Sequence, residues 1–364
     1  MKITAAVARE KGEALLIEEL ELAPPGDEEL IVEIAGTGLC HTDAAARDQA
    51  YDGPLPAVFG HEGAGVVIAV GKNTADVAVG DHVVLSYASC GTCPRCARGH
   101  LPYCRDFLRL NLGIGRESPS GELRGRGGDI HGSFFGQSSF ASHARASRRS
   151  AVVVPPEVPI ELLGPLGCSV QTGAGAVINS LRPPPGSAIA IFGAGAVGLS
   201  ALLAARLAGC TPIIAVDPLR ARRALARELG ATHAIDPHRG DTGDEIRELT
   251  RGGVDFAIEA VGIPDVLEQA ICATAPTGTC VLLGTAPLGT KFSLKMGVLI
   301  AGRTVRGVVE GDAAPQAFIP QLVHLWQSGL LPFDRFVTHY PLAEINRAFD
   351  DLRDGSAIKP IVRP

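Results

Sequence analysis

The stretch Ile189-Ala190-Ile191-Phe192-Gly193-Ala194-Gly195-Ala196-Val197-Gly198 decides the fold. A short apolar run enters a Gly-x-Gly-x-x-Gly turn and continues into a helix-like segment, Leu199 to Ala208. A second apolar run, Ile213 to Val216, leads to Asp217, nineteen residues beyond the last glycine. Strand, glycine turn, helix, strand and carboxylate is the order that dinucleotide binding demands. Gly193 permits the tight turn, Gly195 lets the backbone approach a pyrophosphate, and Gly198 lets the helix pack closely on the strand. Ala196 and Val197 open the helix whose N-terminus faces the phosphates. Asp217 is expected to accept hydrogen bonds from both adenosine ribose hydroxyls and to repel a 2′-phosphate, which favours NAD over NADP. Arg220, Arg222 and Arg223 follow closely, and Arg222 is expected to help hold the ribose.

A membrane span is the competing reading, because Ala188 to Ala205 carries no charge over eighteen positions. A spanning helix needs about 20 apolar residues. Here the glycines and Arg206 break the run, and strand–turn–helix accounts for all of it. A chain of 364 residues is too long for one ordinary core and implies two domains. Its 46% apolar and 20% charged residues are those of a globular protein. The net charge of −6 speaks against non-specific nucleic-acid binding. The arginines at 145, 148 and 149, and at 220, 222 and 223, read as solvated faces. The opening Met1-Lys2-Ile3-Thr4 leads into a charged, alternating segment unlike a signal peptide, so a cytoplasmic protein is expected.

Four of the nine cysteines cluster as Cys90-x-x-Cys93-x-x-Cys96 followed by Cys104. Four thiolates at this spacing can close a tetrahedron around one zinc and leave no position for chemistry. An iron–sulfur cluster accepts similar spacing, but nothing else in the chain suggests electron transfer. A disulfide conflicts with the compartment.

The first 35 residues read as β-rich, as do residues 55–85 around Gly60-His61-Glu62-Gly63 and Gly80-Asp81-His82. Between them, Gly36-Thr37-Gly38-Leu39-Cys40-His41-Thr42-Asp43 is a glycine-rich loop that delivers a cysteine and polar side chains. His61 alone is as consistent with a hydrogen-bonded core histidine as with a ligand. Arg116 to Asp129 reads as a long surface loop. Phe134 and Phe135 concentrate aromatic area in a chain with only 5% of it. They are placed in the core, or one in the core and one lining a pocket. Cys168 ends a second glycine-flanked loop.

Taken in order, Cys40-His41-Thr42-Asp43, Gly60-His61-Glu62, the four-cysteine lobe, Cys168 and the glycine turn resemble the zinc-dependent medium-chain alcohol dehydrogenases, over essentially the whole chain. His131-Gly132-Ser133-Phe134-Phe135-Gly136-Gln137-Ser138-Ser139-Phe140-Ala141 and Ile358-Lys359-Pro360 resemble the aryl (benzyl) alcohol dehydrogenase branch. The resemblance implies an α/β protein in which a GroES-like β-rich catalytic domain joins a Rossmann doubly wound parallel sheet. Residues 1–169 and 310–364 would form the first, with its structural-zinc lobe at 90–104, and 170–309 the second. Successive strands at Gly230–Asp236, Val254–Ile258 and Thr279–Gly284 agree, with ligand expected at their carboxyl ends in the cleft between domains.

The resemblance further implies a second, catalytic zinc on Cys40, His61 and Cys168. Two thiolates and an imidazole leave the fourth position open for an alcohol oxygen. Thr42 resembles the hydroxyl that takes the alcohol proton. Asp43 would orient His61, and Glu62 would sit behind the metal. His41 and Lys359 would contact the pyrophosphate, and Thr172 would pack against the nicotinamide. Ser86, Phe134, Phe135, Ile300 and Val309 would border the substrate. One departure stands out: many relatives carry a histidine five residues after the first zinc cysteine, and here that position is Ala45. The relay must therefore end in water, His41 or the cofactor ribose.

The expected activity is NAD-dependent interconversion of a primary aryl or allylic alcohol with its aldehyde, in a homo-oligomer, dimer or tetramer. Medium or long aliphatic alcohols are the alternative substrates. A zinc-free relative would lack the intact Cys40, His61 and Cys168 set, and a nucleotide sensor bearing a zinc ribbon would not need it.

Overall fold

The computed structural model describes residues 1–51, 53–114 and 121–364. The chain divides into two compact units. One comprises Met1–Cys168, Ala314–His324 and Asp334–Pro364; the other comprises Ser169–Ala313 and Leu325–Phe333.

The second unit is a six-stranded, wholly parallel sheet. Its strands in chain order are β1 (Ile189–Phe192), β2 (Ile213–Val216), β3 (His233–Ile235), β4 (Val254–Glu259), β5 (Thr274–Leu282) and β6 (Thr304–Gly307). They lie in the spatial order 3-2-1-4-5-6, which reverses direction between β1 and β4. That reversal is where a doubly wound sheet binds its ligand, and it lies at the glycine turn. β1 and β2 are buried at every position because helices cover both faces, so they read as unbroken apolar runs. The helix Ala196–Leu207 follows β1 directly and is almost wholly buried. At twelve residues it is far short of a span, and no described helix is long and apolar enough to cross a membrane.

The first unit is mostly antiparallel β in two sheets, with Val337–Pro341 and Lys359–Arg363 paired parallel. The larger is built on Glu29–Gly38, which pairs with Glu62–Val70 and with His143–Ser147. Leu30, Val32 and Ile34 point into the core between these partners. The C-terminal strand Lys359–Arg363 returns to Glu29–Gly38 and brings Lys359 beside Leu39. The smaller sheet pairs Lys2–Ala8 with Leu16–Leu22.

Two expectations change here. Residues 116–120 of the expected surface loop lie outside the described residues, while 121–129 are not loop. Leu123–Gly125 and Gly128–Ile130 form a hairpin that adds to the smaller sheet. Glycines at its tip supply the tight turn, and Leu123 and Ile130 bury themselves beneath it. Nor are the arginine clusters simply solvated. Arg145 is 14% exposed between Glu29 (3.3 Å) and Glu122 (3.1 Å). Arg223 donates to Asp217 O, Pro218 O and Asp236 Oδ2. Carboxylates distant in sequence claim these arginines, which local composition does not reveal.

Candidate active site

The first unit gathers two sets of metal-ligating atoms, each with all donors within 4.8 Å of one another: Cys90, Cys93, Cys96 and Cys104, and Cys40, His61, Glu62 and Cys168. The four-cysteine set is built by its own short segment. Cys93 N donates to the Cys90 sulfur at 3.3 Å, Cys90 N to that of Cys104 at 3.3 Å, and Asp106 N to the same sulfur at 3.4 Å. Backbone donors, led by Arg105, lower the Cys93 thiol to about 6. Burial, with a neighbouring thiol, pushes Cys96 up to about 12. Four thiols this close cannot all ionise without a cation, and backbone N–H groups already aimed at sulfur suit a closed thiolate site. The residues fit zinc.

The second set is assembled over distance. Cys40 precedes the helix His41–Arg47, and Asp43 in its first turn is fully buried. Asp43 Oδ2 accepts Cys40 N at 3.0 Å. Its Oδ1 accepts Gly60 N at 3.1 Å and contacts His61 Nδ1 at 2.8 Å. One carboxylate thus ties both ligand-bearing segments together and fixes which imidazole nitrogen faces inward. That nitrogen, His61 Nε2, is buried and has no hydrogen-bond partner among the described residues. Cys168 arrives on the turn Gly164–Gly167, where a Cβ on Gly167 would meet Leu85 O at 2.0 Å. With Glu62 tied to Lys359, an unpartnered buried imidazole nitrogen beside two sulfurs is a three-donor metal-ligand arrangement with one position left to fill. Neighbouring sulfur, chiefly Cys168, holds the Cys40 thiol well below its usual range.

Behind this set lies a buried ion pair. Lys359 Nζ is 3.0 Å from both Glu62 oxygens and 3.0 Å from Leu39 O. Burial pushes the Glu62 carboxyl up and the adjacent ammonium opposes it. The expected phosphate contact of Lys359 is thereby corrected: its three donors already have three buried acceptors. Thr42 Oγ1 is 3.8 Å from the Cys40 sulfur, and His41 is exposed at the start of its helix.

The expected pocket residues divide. Phe134 and Phe135 are 6% and 5% exposed and lie against His61, with ring centroids 5.7 Å and 4.5 Å from the imidazole. Ser86 is fully buried and donates to Gly167 O at 2.7 Å, so it steadies the turn that delivers Cys168. Ile300 is 86% exposed at the end of a short helix in the other unit. Val309 and Thr172 also belong to that unit, with the Thr172 hydroxyl 3.5 Å from the Glu310 carboxylate. A pocket of about 440 Å³, open solvent included, shares only Phe134 with the expected set, and no metal-set residue lines it.

Sequence reasoning missed Gln137. It is 1% exposed, donates to His61 O at 2.9 Å and accepts Gly63 N at 2.9 Å. A glutamine inside an aromatic, glycine-flanked run was the available signal.

In the second unit, the glycine turn shows why each glycine is there. Gly193 has φ +96°, and a Cβ on Gly198 would meet Gly193 O at 1.7 Å. A Cβ on Gly195 would meet nothing nearer than Arg222 Nη1 at 4.0 Å, so the cradle above it stays open. That space and the helix behind it suit a pyrophosphate. Asp217 is 3% exposed and accepts Ala194 N and Leu219 N, each at 2.8 Å. Arg222 Nη1 stands 4.0 Å from its carboxylate, and Arg222 Nε is buried without a hydrogen-bond partner among the described residues.

Residues 196–328 match the family described as zinc-binding dehydrogenase, and residues 26–156 match the alcohol dehydrogenase GroES-like domain. Geraniol dehydrogenase of Castellaniella defragrans is 45% identical over 98% of this chain and 96% of its own. The crystal structure of benzyl alcohol dehydrogenase from Acinetobacter calcoaceticus superposes with a TM-score of 0.96 at 45% identity, covering 100% of this chain and 99% of that one. An alcohol dehydrogenase zinc-binding domain protein from Burkholderia ambifaria superposes with a TM-score of 0.97 at 54% identity, with the same coverage.

Proposed function

The chain belongs to the zinc-binding alcohol dehydrogenases, and from that premise we propose that it interconverts primary aryl or allylic alcohols and their aldehydes with NAD. The observation that carries this reading is a three-donor set whose buried imidazole nitrogen lacks a partner, with two phenylalanine rings against it. Cys40, His61 and Cys168 hold the catalytic zinc, and the Cys90–Cys104 lobe holds the structural one. When bound, zinc supplies the Lewis acidity that lowers an alcohol's hydroxyl pKa, and NAD supplies the hydride acceptor.

The remaining work falls to side chains. Asp43 holds His61 in one tautomer. The Thr42 hydroxyl takes the alcohol proton and starts the relay, and Ala45 leaves the next step to water or to groups beyond it. Gly195 leaves room for the pyrophosphate. Asp217 and Arg222 take the adenosine ribose, and the Asp217 charge repels a 2′-phosphate. Phe134 and Phe135 keep water from the imidazole and offer a flat apolar wall.

That wall decides the substrate class. Burying a ring of ~100 Å² at ~25 cal/mol per Å² is worth roughly 2–3 kcal/mol, or one to two orders of magnitude in kcat/KM over ethanol. The geraniol and benzyl alcohol relatives support the same class. Side-by-side kcat/KM values for benzyl, cinnamyl, terpene, hexyl and ethyl alcohols test it. Benzyl and cinnamyl alcohol should lead, and ethanol or hexanol matching them would refute selection for a ring.

A further inference from the structure

The segment from Ser133 to Ser138 is unusual in its backbone. Ser133, Phe135 and Ser138 adopt left-handed φ values of 61°, 51° and 49°, with Gly136 at 68°. Three non-glycine residues of six in this region are unfavourable for L-residues, and they persist only where surroundings over-determine them. The surroundings are specific. The Ser133 hydroxyl donates to Glu122 Oε2. The Ser138 hydroxyl donates to Val58 O at 2.6 Å and accepts Phe134 N at 2.9 Å. Gln137 brackets the imidazole-bearing residue through His61 O and Gly63 N. Two of these anchors end on His61 O and Gly63 N, and a third on Val58 O in the segment that leads to them.

The outcome is a ring placed on a ring. Phe135 lies over the His61 imidazole at 4.5 Å and 30°, while Phe134 meets it edge-on at 5.7 Å and 80°. Asp43 pins one imidazole atom, Nδ1, and a single pin leaves the ring able to tilt about that contact. The Phe135 face removes the tilt. A metal needs the Nε2 lone pair held within about 10–20° of its target, so tilt is the freedom that matters.

We propose that residues 133–138 form a strained clamp that aims the His61 imidazole at the metal, with Phe135 as its positioning residue. The inference rests on the reading of Cys40, His61 and Cys168 as zinc ligands. It adds to the substrate-wall role of Phe135, which by itself would leave the metal's retention unchanged.

The protein carries its own control, because the Cys90–Cys104 site shares no ligand with the clamp and meets it through Phe107, whose ring packs on that lobe 6.3 Å from the Phe135 ring. Zinc release from the two-zinc protein into a chromogenic chelator is followed over time, and the phase lost in Cys168→Ala marks the open site. Phe135→Leu should accelerate that phase about three- to tenfold, as loss of one aromatic pair implies, while the other phase is unchanged. Phe135→Tyr keeps the ring and should restore the wild-type rate. Ser138→Gly relaxes a left-handed residue but removes its two anchors. The clamp predicts faster open-site release for it, whereas a purely structural strain predicts slower release and a higher Tm. In the cobalt-substituted protein, Phe135→Leu should shift the visible absorption of the open site.

Unchanged release in Phe135→Leu and Ser138→Gly, with only bulky-alcohol kcat/KM altered, would overturn the clamp and leave the zinc reading intact. Equal acceleration of both phases would also overturn it. A wild-type protein holding a single zinc would overturn the metal reading itself, and the clamp with it.

Discussion

The two cysteine sets of the first unit are built in opposite ways. The lobe at 90–104 draws four sulfurs from fifteen consecutive residues, and its own backbone N–H groups serve them. The open set draws Cys40, His61 and Cys168 from three segments, and needs Asp43, Gln137 and a buried Glu62–Lys359 pair to hold them. The closed set can be satisfied by metal alone. On the proposed reading the open set must be held from behind, because one position would be reserved for substrate. A staple and a reaction centre therefore make different demands on the rest of the chain.

The largest effect that tests this contrast is a pair of substitutions. Cys93→Ala should lower stability or assembly sharply, because binding at a closed zinc site is folding free energy, of order 10 kcal/mol in small zinc domains. Cys168→Ala should abolish turnover, release one zinc and keep the fold. Thermal unfolding and zinc content of both variants check this, and equal loss of folding would erase the distinction.

Next comes the buried pair behind the open set. Lys359→Met strands the Glu62 carboxylate, and breaking such a pair costs about 3–5 kcal/mol. The double variant Glu62→Gln with Lys359→Met removes both charges and should recover most of that loss. Denaturant unfolding of the two separates a structural pair from an idle one. A harmless Lys359→Met would mean that Nζ has other work, such as the phosphate contact the sequence suggested.

A smaller effect is expected from Asp43→Asn. The amide keeps the shape but no longer accepts strongly from His61 Nδ1. Zinc affinity at the open site should fall roughly 10–100-fold, with the closed site unmoved. Competition with a chelator measures both in one sample. Equal weakening at both sites would show that Asp43 supports the unit at large.

Legibility follows the same line between local and assembled. The glycine turn and the Cys90–Cys104 lobe are contiguous, so spacing alone carries their chemistry, and the parallel order around β1 agrees with it. His61 was undecidable by itself, since only the approach of Cys40 and Cys168 distinguishes a ligand from a core histidine. Ser86 and Lys359 were assigned by position in a family. The structure gives both buried partners that no local pattern announces, Gly167 O and Glu62. The hairpin at 123–130 was hidden because its glycines read as loop and its two apolar residues are too few to show alternation.

The smallest predicted effect belongs to the other local constellation, the glycine turn and its acid. Asp217 holds its own turn through Ala194 N and Leu219 N, so truncation to alanine would confuse loss of ribose contacts with loss of the turn. Asp217→Asn keeps the shape and removes the charge, but its single amide oxygen can hold only one of the two turn N–H groups. One charge-assisted hydrogen bond, of about 1.5 kcal/mol, corresponds to roughly tenfold in NAD KM. Removal of the charge should also relieve repulsion of a 2′-phosphate, with Arg222 4.0 Å away to receive it. The preference for NAD over NADP should therefore narrow by about tenfold or more, with Tm falling only by what the loss of one turn hydrogen bond implies, about 1 kcal/mol. Steady-state KM and kcat for both cofactors, with Tm in parallel, decide it. A wild-type enzyme that uses NADP as well as NAD would show that Arg222, not Asp217, governs the ribose site, and that even a contiguous motif needs its neighbours to be read.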